Sequence, residues 1–266
     1  MTEPLMRVEG LRKTFKTSRW PAPPLRTVAI DDVSLEVHAG EAVGIAGESG
    51  SGKSTLISAM CGLVSPDAGR VLLHGKELHH KGRFDRRAWQ QLQLVFQDPY
   101  TSLNPSMTIE ENVAEPVRWW KGASRKEAIA TAREMLDLVG LGSGMIARRP
   151  GQLSGGQRQR VSIARALATE PELVFLDESV SALDVSIQAQ ILELLLRLRE
   201  ERNLTYVLVS HDISVLRLVC DRVVVMQRGR VVEERPSAEL TVEGVTEDYT
   251  RQLLEAVPTI TPAVLH

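Results

Sequence analysis

Residues 28–37, Val-Ala-Ile-Asp-Asp-Val-Ser-Leu-Glu-Val, alternate roughly between apolar and polar positions. That period of two predicts strands with one buried face, and hence antiparallel β structure early in the chain. Residues 42–46, Ala-Val-Gly-Ile-Ala, form instead a short unbroken apolar run with glycines directly after it. A strand covered on both faces has this pattern. Two similar runs follow at 173–176 and 206–209. Between them Ile187, Ile191, Leu194, Leu195 and Leu198 recur at spacings of three and four, which puts them on one side of a helix. Buried strands joined by an amphipathic helix predict a parallel sheet with crossover helices.

The middle of the chain carries a different pattern. Ser124 with Glu127 makes a capping box, Ile129, Ala132, Leu136 and Val139 follow at helical spacing, and Gly140 ends the segment. No strand-like run lies between Phe96 and Leu173, so residues 98–153 are expected to form a helical insertion in the α/β core, giving two lobes. Further on, Val223, Val224, Val225 and Met226 and then Arg230, Val231 and Val232 flank Gln227, Arg228 and Gly229, a hairpin with glycine supplying positive φ. No repeat of 20–50 residues is visible, which removes solenoids.

With 43% hydrophobic and 25% charged residues, the 266-residue chain has the composition of a folded protein. Its net charge of -2 offers no field for nucleic acid, and no nucleic-acid partner is expected. No apolar run approaches the roughly 18 residues of a spanning helix; the best, 191–198, is broken by Glu193 and Arg197. The start, Met1-Thr2-Glu3-Pro4, lacks the basic then apolar pattern of a secretory signal, so a cytoplasmic location is expected. Cys61 and Cys220 both sit among apolar neighbours and read as packing residues.

Residues 47–54, Gly47, Glu48, Ser49, Gly50, Ser51, Gly52, Lys53 and Ser54, fit G-x-x-x-x-G-K-[ST] between a buried strand and a helix expected to begin near Lys53. Small residues let successive backbone amides converge on phosphate oxygens. The helix start, including Thr55, adds partial positive charge. Lys53 is placed to reach the β and γ phosphates and Ser54 to offer its hydroxyl to Mg²⁺, so a nucleoside triphosphate is the expected ligand.

At the end of the run 173–176 stand Asp177 and Glu178, in the crevice where open α/β sheets bind ligands. Asp177 is expected to hold Mg²⁺. Glu178 is expected to orient the attacking water or take its proton during hydrolysis. His211 follows the run 206–209 and is expected in the same crevice, where a neutral imidazole donates to a γ-phosphate oxygen. His38, His74, His79, His80 and His266 have no comparable setting and read as structural.

Leu153, Ser154, Gly155, Gly156 and Gln157 precede a helical pattern through Val161, Ile163, Ala164, Ala166 and Leu167. A second phosphate-binding helix start is implied, yet the chain holds only one glycine-rich cradle. The phosphate at this second start then belongs to another subunit's nucleotide.

At this point the chain resembles the ABC ATPases, whose signature is Leu-Ser-Gly-Gly-Gln and whose cassettes dimerise head to tail around two ATP molecules. The resemblance covers almost the whole chain. It implies a P-loop NTPase (RecA-like) α/β core with an N-terminal antiparallel β subdomain and an inserted helical subdomain. The corresponding boundaries are a cassette over about 6–235, with core 1–97 and 154–235, helical subdomain 98–153 and tail 236–266. It further implies that Gln97 is the Q-loop glutamine reaching Mg²⁺ or water, that 181–184 ending in Asp184 is the loop crossing the dimer interface, and that His211 is the switch histidine. Phe15 resembles the adenine-stacking aromatic, with Trp20 competing because residues 18–25 look like a proline-rich insertion.

Residues 95–105, with Gln97, Asp98, Pro99, Tyr100 and Thr101, and the tail 249–258 resemble the peptide and nickel importer branch. Glu247 and Asp248 stand where that branch commonly has His-Pro before the tyrosine, and no C-terminal cysteine cluster is present. The resemblance implies an ATPase using ATP and Mg²⁺, peripheral at the cytoplasmic face of the membrane. Its implied partners are a second, identical or homologous cassette, two transmembrane permease subunits and, indirectly, an extracytoplasmic substrate-binding protein. A non-transport cassette, such as an accessory in phosphonate degradation, is the alternative. Trp119 and Trp120 lie in the helical lobe and read as core packing, with packing against a membrane subunit as the alternative.

Overall fold

The computed structural model describes residues 3–19, 22–80, 82–178 and 184–256. A long antiparallel ladder forms between β1 (Met6–Arg19) and β2 (Ala22–Val37), and β4 (Ala68–Leu73) and β5 (Lys76–Glu77) complete a four-stranded sheet in the order β2-β1-β4-β5. The proline-rich stretch extends this ladder, with Thr17 opposite Leu25 and Arg19 opposite Ala22. Pro23 and Pro24 fall between these two pairs, on an edge strand and at an irregularity of the register, the settings in which a sheet accepts proline.

The three unbroken apolar runs lie side by side. β3 (Ala42–Ala46), β9 (Leu173–Asp177) and β10 (Thr205–Val209) occupy the centre of a six-stranded sheet with β8 (Leu92–Val95), β11 (Arg222–Gln227) and β12 (Arg230–Pro236), in the order β12-β11-β3-β10-β9-β8. All its pairings are parallel except β11 with β12. Both faces are covered. Val174, Leu176, Tyr206, Leu208, Val223 and Val225 point into one core, while Leu173, Phe175, Val207, Val209, Val224 and Met226 point into the other. That double burial is why these strands carry no polar alternation.

The second core is closed by α1 (Lys53–Met60) and the antiparallel sheet, with a short hairpin of β6 (His79–His80) and β7 (Arg83–Phe84) beside it. The first is closed by helices. Between β8 and β9 come α2 (Pro99–Ser102), α3 (Ile109–Lys121), α4 (Arg125–Leu138) and α5 (Gly155–Leu167); later come α6 (Val185–Arg202), α7 (Ile213–Val219) and α8 (Asp248–Glu255). Buried residues of α3 and α4 belong to the same cluster as those of α5 to α7.

The Ser124/Glu127 capping box opens α4, and Gly140 stands just past its end at φ 77°. α3 carries its own box, Thr108 with Glu111, and a left-handed C-cap at Gly122; it lies inside the expected helical insertion, in which only α4 had its ends marked. In the β11–β12 turn both Arg228 and Gly229 have positive φ, 49° and 81°, the conformation whose twist matches a two-residue hairpin.

Candidate active site at the strand ends

β3 ends at Ala46 and the chain turns through the cradle. Gly47 has φ 145° and Gly52 φ 108°. A Cβ on Gly47 would stand 2.2 Å from the carbonyl oxygen of Met226, and one on Gly52 2.3 Å from that of Ala29. The loop is therefore pressed against backbone from β11 and β2, and glycine is required by contact as well as by φ. A relay holds it from behind: Gly229 N–H donates to Ser51 O at 2.8 Å, and Asp31 N–H donates to Gly229 O at 2.8 Å. Gly52 caps α1 with no side-chain bond, which leaves the first-turn amides of that helix to bind an anion.

Lys53, only 4% exposed, folds back into the loop. Its Nζ donates to Gly47 O at 2.7 Å and Glu48 O at 2.8 Å, and lies 4.0 Å from Glu178 Oε1. Burial pulls its pKa down, opposed by the negative charges of Glu178, Asp177 and Glu48.

The two expected metal ligands are bonded to each other, Ser54 Oγ donating to Asp177 Oδ1 at 3.0 Å. Burial raises the Asp177 pKa; the Ser54 hydrogen bond and the Lys53 charge work against the rise, and Glu178 adds to it. Gln97, two residues past β8, donates its amide to Glu178 Oε2 at 3.0 Å. Glu178 itself has φ 43°, a left-handed backbone for a residue that rarely adopts it, and its N–H is held by Val209 O at 3.2 Å. Strain at this position turns the chain so that the carboxylate faces Gln97 and Lys53. Lys53, Ser54, Gln97, Asp177 and Glu178 thus form one connected group at the carboxyl ends of β3, β8 and β9. His211 is exposed just past the carboxyl end of β10, two residues beyond Val209.

Hard oxygen donors from a hydroxyl and one carboxylate, with a glutamine nearby, fit Mg²⁺, which binds through one or two carboxylates plus substrate phosphates rather than a protein cage. Among the described residues no group of three or more His, Cys, Asp or Glu side chains has metal-binding geometry.

The second glycine motif also opens a helix. Ser154 is the N-cap of α5, its Oγ accepting from Gln157 N–H at 3.3 Å while Gln157 Oε1 accepts from Ser154 N–H at 3.0 Å. Gln157 therefore serves as the far half of a capping box. Gly156 has its own steric reason, since a Cβ there would lie 2.4 Å from Ile187 Cγ2 on α6. Asp184 is the exposed N-cap of α6 and makes no side-chain cap bond; residues 181–183 lie outside the described residues, as does Trp20.

Phe15 is 40% exposed on β1, with the Lys13 ammonium 5.6 Å from its ring centroid, so it is no core aromatic. The core reading of the tryptophans is corrected in the same way. Trp119 is 80% exposed, and Trp120 meets Trp89 edge-on from a half-open position. Sequence reasoning also missed Tyr249, whose hydroxyl accepts the backbone N–H of Glu48 at 2.9 Å.

Residues 30–181 match the family model described as ABC transporter. The chain is 43% identical to a probable peptide ABC transporter ATP-binding protein, y4tS, of Sinorhizobium fredii, over 99% of its own length and 75% of that protein's. It is 42% identical to the oligopeptide transport ATP-binding protein OppF of Bacillus subtilis, over 97% and 84%. Among solved structures it superimposes with a TM-score of 0.76 and 33% identity on the ATP-binding cassette MJ0796 in a dimeric post-hydrolysis state bound to ADP and Pi, covering 87% of this chain and 98% of that one.

Proposed function

Because the chain belongs to the ABC transporter family, as an ATP-binding cassette, we propose that it energises the import of peptides as one half of a two-nucleotide sandwich at the cytoplasmic face of a membrane. The chain binds and hydrolyses ATP, and the family works as a dimeric ATPase with transmembrane partners. The observation that carries the proposal is the connected group Lys53–Glu178–Gln97 with Ser54–Asp177, built where the glycine cradle ends.

In this reading the loop amides and Lys53 bind the β and γ phosphates. Ser54 and Asp177, with Gln97 nearby, hold Mg²⁺, which supplies charge neutralisation on the phosphate oxygens. Glu178 accepts a proton from the attacking water, and Gln97 keeps its carboxylate aimed by donating to Oε2. His211 donates to the γ-phosphate. Phe15, exposed on β1, stacks on adenine.

Ser154, Gly155 and Gly156 bind the γ-phosphate of the other cassette's ATP, with Asp184 at the shared interface. Residues 98–153 form the lobe that transmits force to the membrane subunits, of which the complex has two permeases, and 1–97 with 154–235 form the nucleotide core. The second cassette is identical or homologous, and a binding protein outside delivers the substrate.

Peptide is favoured over nickel chelates because the relatives named above are peptide and oligopeptide transport proteins. The test is ATP-dependent uptake of a radiolabelled pentapeptide by proteoliposomes holding the complete complex. Uptake that vanishes with Lys53→Ala supports the reading. Uptake of a nickel chelate with none of peptide would reassign the substrate, and an ATPase that purifies from detergent-solubilised membranes without any multi-spanning partner would reject transport. Ser154→Arg in one cassette of a dimer should disable the site shared with its partner's Lys53, and full activity there would reject the sandwich.

A further inference from the structure

The C-terminal segment is built against the nucleotide loop, and its attachment is specific. Leu240, Val245 and Tyr249 are part of the core that also packs β3 and α7, with Leu253 and Leu254 resting on it. Glu233 of β12, 6% exposed, ties down the start of α8: it accepts Thr246 N–H at 2.8 Å, Thr246 Oγ1 at 3.1 Å and Glu247 N–H at 3.4 Å, and pairs with Arg235 at 3.2 Å. Arg251 closes the turn from the other side through Val245 O at 3.1 Å and Asp248 at 2.6 Å.

This fixed helix delivers one side chain to the loop. The Tyr249 hydroxyl, on a residue 9% exposed, accepts Glu48 N–H at 2.9 Å. The same peptide plane presents Gly47 O on its other side, and that oxygen accepts Lys53 Nζ at 2.7 Å. The torsions beside this peptide are the ψ of Gly47 and the φ of Glu48, and Gly47, held at a φ of 145° that few other residues adopt, has no Cβ to narrow its ψ. With no side chain at 47 to restrict that ψ, the grip on the Glu48 N–H is a second hold on the peptide beside the Lys53 bond. Rotation would carry Gly47 O, and the amine bound to it, away from the cradle.

We propose that Tyr249 is a positioning residue for ATP binding: its hydroxyl locks the Gly47–Glu48 peptide and so pre-sets Lys53. The inference rests on the nucleotide reading of residues 47–54. It gives the tail a role in the ATP site of its own chain.

The test compares wild type, Tyr249→Phe, Glu233→Gln and the double variant as purified full chains. Trinitrophenyl-ATP binding, ATPase kinetics and amide hydrogen exchange are measured on each. Tyr249→Phe keeps the ring and its packing and removes only the hydroxyl. One hydrogen bond of ordinary strength sets the scale, so the trinitrophenyl-ATP Kd and the KM for ATP should rise on the order of three- to tenfold, with kcat within about twofold of wild type. Exchange should quicken in the peptide covering the loop and stay unchanged in α8. Glu233→Gln, which loosens the seat of α8, should raise Kd in the wild-type background and add nothing in the Tyr249→Phe background, because both act through one bond. Unchanged Kd in Tyr249→Phe, a loss shared equally between KM and kcat, or weaker binding without faster loop exchange each overturns the proposal. A wild-type chain that fails to bind trinitrophenyl-ATP would instead reject the nucleotide reading itself, and the proposal with it.

Discussion

Glu178→Gln separates two tasks that one carboxylate performs. The substitution keeps the shape of the side chain and removes its charge and its proton-accepting oxygen. Glu178 Oε1 lies 4.0 Å from Lys53 Nζ, with the side chains 20% and 4% exposed. At that distance, and at the effective dielectric that describes such sites, the attraction is about 4 kcal/mol, which offsets desolvation of the two charges rather than adding net stability. The Lys53 pKa is lowered by burial, and Glu178 leads the influences that oppose this.

The variant should therefore show two effects. Turnover falls by roughly a hundredfold or more, since general-base catalysis is worth on the order of 10²–10⁴, while ATP still binds at neutral pH. In addition, the Lys53 pKa drops further. Affinity that depends on charged Lys53 is present below its pKa and is lost as pH rises through it, so the alkaline edge of ATP binding moves to lower pH in the variant. Single-turnover phosphate release in the complete complex reads the first effect, and trinitrophenyl-ATP titrations across alkaline pH read the second. Turnover within about threefold of wild type would remove Glu178 from the chemistry, and an alkaline edge that stays put would refute its support of Lys53.

Gly156→Ala should cost about 1–3 kcal/mol by overpacking, because the new methyl meets Ile187 Cγ2 at 2.4 Å; thermal melting should show a drop of several degrees that Ile187→Ala in the same chain partly restores. Cys61 and Cys220 are buried, and burial raises both thiol pKa values, so a thiol reagent at mildly alkaline pH should label neither in the native chain and both in denaturant; rapid native labelling would contradict the packing described. Burial opposes the charge of Glu233, but hydrogen bonds from the Thr246 backbone, Arg235 and the Thr246 hydroxyl outweigh it and bring the carboxyl to about 2 from an ordinary 4.5. Its folded pKa is depressed, so its contribution is complete above the ordinary value and is lost as pH falls toward about 2. Urea midpoints of Glu233→Gln should accordingly fall less steeply than those of wild type across that acid range.

Legibility in the sequence followed locality. The cradle, the Asp177–Glu178 pair and the Ser124/Glu127 cap were visible because each is written in a few adjacent residues whose types the geometry demands. The parallel sheet was visible because burial on both faces erases alternation in β3, β9 and β10. The ends of α3 were not picked out within the expected helical insertion although Thr108 and Glu111 repeat the same cap. Its interior proline, Pro116, and its exposed Trp119 disturb the apolar period that normally confirms a helix. Exposure of Phe15 and Trp119 was not legible at all, since an aromatic at a given position has the same letter in a core and on a surface.

What supports the nucleotide loop was hidden for a different reason. Ala29 and Met226 touch it through carbonyl oxygens, atoms that every residue carries, so their side chains record nothing of the contact. The record is kept on the other partner: Gly47 and Gly52 are glycine because those carbonyls leave no room. Phosphate-facing demands and rear-facing demands fall on the same glycines, and a motif read only for its ligand gives half of the reason that these positions are glycine. Tyr249 is the converse case. There a side-chain hydroxyl accepts and a backbone N–H donates, so the tyrosine was visible in the tail while Glu48, 201 residues away, gave no sign of needing it. Substitution at Tyr249 thus disturbs the rear of the loop directly through a side chain while leaving every residue of the glycine motif in place.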